Sequence, residues 1–241
     1  MLDWLRRDPR EEPTLEIAGR KVPVVIRRLA QCRRMTMRLA PDGSEIRISI
    51  PRWTRTEDAL AFARSKQSWL AIQIEALPEP THLGEGSSLD FRGHRFIIRH
   101  DPALPRRPVP DDGLLLVGGP ESSLAPRLKR WLEGEARDVL AADLAEYCRR
   151  AEQPVPPLAL SSARRRWGSC AADGSIRINW RLVMAPDHVR RSVVAHEVAH
   201  LVHFDHSPAF HAFLAGIFEG SVPSANRWLK ENGRTLYAPF G

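Results

Sequence analysis

Over the first hundred positions, apolar and polar residues alternate in short runs. Residues 14–18, 22–28, 35–39 and 45–50 carry β-branched or apolar side chains at alternating positions, the spacing at which a strand buries one face. Turn chemistry separates them. Pro41-Asp42-Gly43 presets φ with its proline and accepts a left-handed φ at its glycine, which predicts a hairpin. The period then lengthens: between 56 and 77 apolar residues recur at Leu60, Phe62, Ala63, Trp69, Leu70, Ile72 and Ile74. With Thr56 as N-cap and Pro78 as stop, this reads as one helix.

A further β segment at 88–99 turns around Arg92-Gly93-His94. Residues 102–110 then hold four prolines and lead into Asp111-Asp112-Gly113, which predicts an exposed connection and an internal boundary. Beyond it come a short apolar run at Leu114–Val117 and a long amphipathic helix over Leu124–Arg150. Strands at Leu158–Ser161 and 175–182 follow, then helices from Pro186 onward. No internal repeat is visible. The pattern predicts an α+β fold in two parts: a β-rich N-terminal region with one helix (1–110) and a largely helical module with a small antiparallel sheet (111–241).

Composition narrows the function. With 43% hydrophobic and 27% charged residues in a chain of 241, fibrous and disordered classes are excluded. No run approaches the roughly 18 to 20 apolar residues of a membrane span. The first nine residues have neither the apolar core of a secretory signal nor the acid-poor character of a transit peptide, so a cytoplasmic protein without membrane partners is expected. Cys32, Cys148 and Cys170 are odd in number and far apart, which predicts reduced thiols. The net charge of +7 rests on 36 Lys and Arg, only four of them lysine. Such an arginine surplus permits binding to nucleic acid or another polyanion. No pattern sets an oligomeric state.

The chemistry is concentrated elsewhere. Five of the nine histidines fall between positions 196 and 211, and His196-Glu197-Val198-Ala199-His200 lies in an apolar helical setting. Residues i and i+4 stand about 40° apart around a helix and about 6 Å apart along it, so both imidazoles can reach one metal ion. Glu197, roughly 100° from His196, is placed to act on a metal-activated water rather than to ligate. A third ligand is required, and three residues qualify. His206 follows His200 by six positions, the separation found in the extended His-Glu-x-x-His-x-x-Gly-x-x-His pattern, with His203 standing where that pattern has glycine. His203 shares the helical face but lies about 10.5 Å of rise from His196. Glu219 would complete a His, His, Glu set.

Several neighbours are candidates for supporting roles. The strand at 175–182 could be a sheet edge that pairs with an extended peptide. His211, Tyr237 and nearby arginines could stabilise an oxyanion, and Arg164-Arg165-Arg166 could bind a phosphate or an acidic substrate. Cys170, without a companion cysteine, reads as a packing element.

Arg166-Trp167-Gly168-Ser169-Cys170, Gly174-Ser175-Ile176-Arg177-Ile178-Asn179, Leu182 and Pro186, the His196 to Leu201 block and His206-Ser207-Pro208-Ala209-Phe210 together resemble the YgjP-like metallopeptidases, relatives of the SprT-type zinc proteases. The N-terminal β segments and the helix holding Trp69 are also similar to that family. One departure is His211, where relatives commonly carry Trp. The resemblance implies a zincin-like module in a zinc-dependent hydrolase: Zn2+ on His196, His200 and His206, Glu197 as catalytic acid/base, and a protein or peptide as substrate. Alternatives are a DNA-associated protease in the manner of SprT relatives, and a non-catalytic nucleic-acid- or protein-binding module with a structural metal.

Overall fold

The computed structural model describes residues 13–40, 43–75, 82–164 and 166–240. The chain start, Pro41 and Asp42 of the predicted hairpin, the Pro78 stop and Arg165 lie outside the described residues. The chain divides into two compact units, Met1–Leu77 and Pro78–Gly241.

The first unit holds β1 (Thr14–Ile17), β2 (Arg20–Leu29), β3 (Thr36–Leu39) and β4 (Ile46–Pro51) in the order β1-β2-β4-β3. β1 and β2 form a two-residue hairpin through Ala18 and Gly19, both at positive φ, the geometry that matches strand twist. β2 and β4 run parallel, and β3 is antiparallel to β4. Alternation decides which face is buried. Val22, Val24, Ile46, Ile48 and Ile50 share a core with the apolar sides of α1 (Thr56–Ser65) and α2 (Gln67–Glu75). The single helix predicted over 56–77 is therefore two. At Lys66 the backbone leaves helical geometry (φ −109°, ψ 16°) and its N–H turns back to Ala63 and Arg64. α2 restarts at Gln67, whose side-chain amide donates to the Glu16 carbonyl of β1 at 2.8 Å.

The second unit repeats this connectivity. β5 (Ser88–Phe91), β6 (His94–His100), β7 (Val109–Asp111) and β8 (Leu114–Val117) are ordered β5-β6-β8-β7, again with the inner pair parallel and both outer pairs antiparallel. The repeat is invisible in the sequence because strand order is a tertiary property. The 102–110 segment is not a boundary: β7 lies partly inside it, Gly118 N–H donates to the Pro105 carbonyl at 2.8 Å, and Leu89, Ile98, Leu115 and Val117 belong to the core of the C-terminal helices.

α3 (Leu124–Arg150) has the bounds its apolar spacing predicts and buries Leu128, Leu132, Ala136, Leu140 and Leu144 in that core. β9 (Leu158–Ser161), β10 (Gly168–Cys170) and β11 (Ile176–Asn179) form a third sheet, ordered β10-β11-β9. The small antiparallel sheet expected here is mixed, since β9 runs parallel to β11. β11 is shorter than predicted because Asn179 caps a 3-10 turn over Trp180–Val183, its side-chain oxygen accepting from Arg181 N–H at 3.1 Å. α4 (Asp187–Ala199), α5 (Pro208–Ile217) and α6 (Val222–Asn232) complete the unit. Among the described residues no helix is long and apolar enough to cross a membrane. All three cysteines are free.

Two devices fix α4. The β5–β6 turn abuts its start, where Arg92 and Gly93 N–H donate to the Val183 and Met184 carbonyls and the Arg92 side chain pairs with Asp187. On its buried side, Arg190 donates to Asp143 of α3 at 2.7 Å, both side chains being almost fully enclosed. Arg191 adds a second bond to Asp143 and one to Glu219.

Candidate metal centre

His196 lies in the last turn of α4, and His200 is its C-cap. There the helix tightens: Leu201 N–H reaches the Val198 carbonyl, and Val202 N–H the Ala199 carbonyl. The chain reverses at Phe204-Asp205, and Asp205 accepts from Ser207 N–H while Ser207 caps α5 by accepting from Phe210 N–H. This reversal brings His206 back over the end of α4. His206 Nε2 lies 3.2 Å from His196 Nε2, and the ligand atoms of His196, His200 and His206 all fall within 4.8 Å of one another.

The donor set fits a divalent transition metal. Two nitrogens sharing a tetrahedral zinc at about 2.0–2.1 Å stand roughly 3.3 Å apart, close to the separation of the His196 and His206 nitrogens. His200 Nδ1 lies 3.1 Å from the His203 carbonyl. A carbonyl can only accept, so that nitrogen carries the proton and Nε2 of the neutral ring keeps its lone pair. Burial, followed by the neighbouring imidazoles His200, His206 and His211, pulls His196 down to about 4, and burial also lowers His200. Burial thus favours the neutral form of both rings, which is the ligating form. Phe210, fully buried, forms the floor: its ring centroid is 4.9, 4.6 and 4.9 Å from those of His196, His200 and His206.

The other two candidates for third ligand are engaged elsewhere. The His203 ring packs against Phe213. Glu219 accepts from Tyr147, Arg150 and Arg191 at 2.6–3.1 Å.

Glu197 is only 6% exposed and lies between α4 and β10. Burial pushes its carboxyl up to about 7, against the lowering effects of a hydrogen bond from Cys170 N–H and the charge of Arg166. Gly168 leaves the space its side chain fills. The Gly-Ser-Cys part of the Trp-Gly-Ser-Cys block is therefore a strand that seats this carboxylate, a role missed in the sequence. The signal was present, since a glycine inside a strand marks a close approach. The Cys170 thiol is raised by burial and then by the Glu197 and Asp173 charges, so it is a poor nucleophile.

Two expectations change. β11 lies between β9 and β10 and cannot be an edge; the edge beside Glu197 is β10. Tyr237 is buried and donates to the Ala163 carbonyl at 3.2 Å. His211 is exposed, with its ring centroid 6.4 Å from that of His206.

A family model described as YgjP-like, metallopeptidase domain, matches residues 33–232. The chain belongs to this family. Its YgjP-like domain thus extends across both units and includes every residue of the histidine cluster. No curated protein matches the chain. Among solved structures, the metallopeptidase zymogen of Pyrococcus abyssi abylysin is similar at 16% identity and a TM-score of 0.34, covering 41% of this chain and 96% of that one.

Proposed function

We propose that the protein is a zinc-dependent peptidase that hydrolyses peptide bonds of protein or peptide substrates, with His196, His200 and His206 holding the metal and Glu197 acting as general base. The reading is carried by one observation: three imidazoles converge at the end of α4, and the residue that follows His196 on that helix is a buried carboxylate. Bound zinc would supply Lewis-acid activation of a water molecule and polarisation of the scissile carbonyl.

The remaining work falls to the chain. A Glu197 carboxylate oxygen takes the proton of the attacking water and returns it to the departing amide nitrogen. The Cys170 N–H holds the carboxylate in place. Phe210 packs under the imidazoles and fixes their planes. The His203 carbonyl fixes the proton of His200 on Nδ1.

Zinc content and peptide cleavage, measured together on the parent and on Glu197→Gln, test this. The expected result is stoichiometric zinc in both and turnover only in the parent. Zinc without turnover in the parent would assign the metal a structural role instead.

A further inference from the structure

The arginine surplus has no part in the proposed hydrolysis, and it is gathered in the first unit. Among the described residues of that unit 12 Lys and Arg stand against five Asp and Glu, whereas the whole chain has 36 against 29. The densest stretch, residues 27–38, holds five arginines and no acid.

Register shows where they meet. On the sheet face turned away from the helices, Arg47 of β4 lies between Val25 of β2 and Arg38 of β3, and in the next row Ser49 lies between Arg27 and Thr36. Arg38 directly opposite Arg47 sets like charges in one cross-strand pair, which costs stability unless anions lie nearby; Arg47 has Glu45, and Arg38 forms no ion pair among the described residues. Because β4 lies between β2 and β3, the connection at 30–35, with Arg33 and Arg34, crosses the end of β4. Arg52 and Trp53 leave β4 at that same end. Trp53 is 75% exposed.

The repeated topology supplies an internal control. On the corresponding face of the second sheet the rows read Ile97, Leu114, Asp111 and Arg99, Leu116, Val109. Leu114 and Asp111 thus stand where the first sheet has Arg47 and Arg38, and only Arg99 matches Arg27, so this strand order does not require the facing arginine pair.

We propose that a stretch of the first sheet running from Arg38 on the outward face, past Arg27, to Arg33, Arg34, Arg52 and the exposed Trp53 at the end of β4 binds single-stranded nucleic acid. Guanidinium groups pair with successive phosphates, and the exposed indole stacks on a base, the combination that tracks a single strand without reading its sequence. A lipid surface is the poorer partner, because the row beside Arg27 is Ser49 and Thr36, and only Leu29 and Trp53 are exposed large apolar side chains at this end among the described residues.

The test is fluorescence anisotropy of the full chain with a labelled single-stranded oligothymidine across a salt series. Binding is expected to weaken steeply with salt. The combined variant Arg27→Ala, Arg34→Ala, Arg38→Ala should weaken it at least about tenfold and flatten the salt dependence by about two to three in slope. Trp53→Ala should weaken it about fivefold or more. Melting and peptide hydrolysis of both variants should match the parent, which separates this result from any failure of the peptidase reading. Parent-like binding by the triple variant overturns the proposal. So does duplex bound as tightly as single strand with Trp53→Ala silent, and so does capture by anionic vesicles in place of the oligonucleotide.

Discussion

The Cα of Gly168 on β10 lies against the carboxylate arm of Glu197 on α4. A Cβ at 168 would stand 2.6 Å from Glu197 Cγ and 2.8 Å from its Cδ. The glycine is there for space, since its φ is not left-handed. Gly168→Ala should therefore push the carboxylate out of register, lowering kcat by about 10²-fold, the scale of an ångström misplacement, while zinc binding stays unchanged. Parallel zinc titration and peptide hydrolysis check this. Loss of zinc with activity would mean that the alanine disturbs α4 itself.

Glu197→Gln keeps the shape of the side chain and removes its ability to take a proton. Turnover should fall by about 10²–10⁴-fold, the usual range for a general base, with the fold and metal content intact. Steady-state kinetics and metal analysis on the same sample decide it.

His206→Ala should weaken zinc binding severely in a competition titration with a chromogenic chelator. His203→Ala and Glu219→Gln should leave affinity near the parent's, because those side chains face Phe213 and the arginine cluster. Retained affinity in His206→Ala would remove it as a ligand.

Glu219 instead serves stability. Burial pushes its carboxyl up, but hydrogen bonds from Arg191, backbone N–H, Tyr147 and Arg150 outweigh this and hold it at about 2, below its ordinary 4.5. Its folded pKa is depressed, so its contribution is present above the unfolded value and lost as pH falls from about 4.5 towards 2. The Tm gap between parent and Glu219→Gln should close over that window. With 46% of the side chain exposed, the gap should be small and reduced by salt.

Asp143 carries a larger load. It joins Arg190 and Arg191 to α3, and Arg190 is 3% exposed. Asp143→Ala leaves a buried guanidinium short of a partner, a change worth about 3–5 kcal/mol, here at the lower end because Asp187 still pairs with Arg190. A Tm lower by about 10 °C is expected in calorimetry.

Much of this protein is local and could be read along the chain. Period-two alternation placed most of the strands, apolar spacing placed α3 to the residue, and four positions between His196 and His200 put two imidazoles on one helical face, because backbone geometry ties spacing to direction. What lies far apart in sequence was decided only by the fold. Which of three residues joins the two histidines depends on the reversal at Asp205, and why residue 168 is glycine depends on a helix some thirty residues later. The β11 strand proved central, the proline-rich segment joined a sheet, and two sheets of unlike sequence proved to share one connectivity. Strand neighbours and facing surfaces arise from packing between distant segments, and no local period records them.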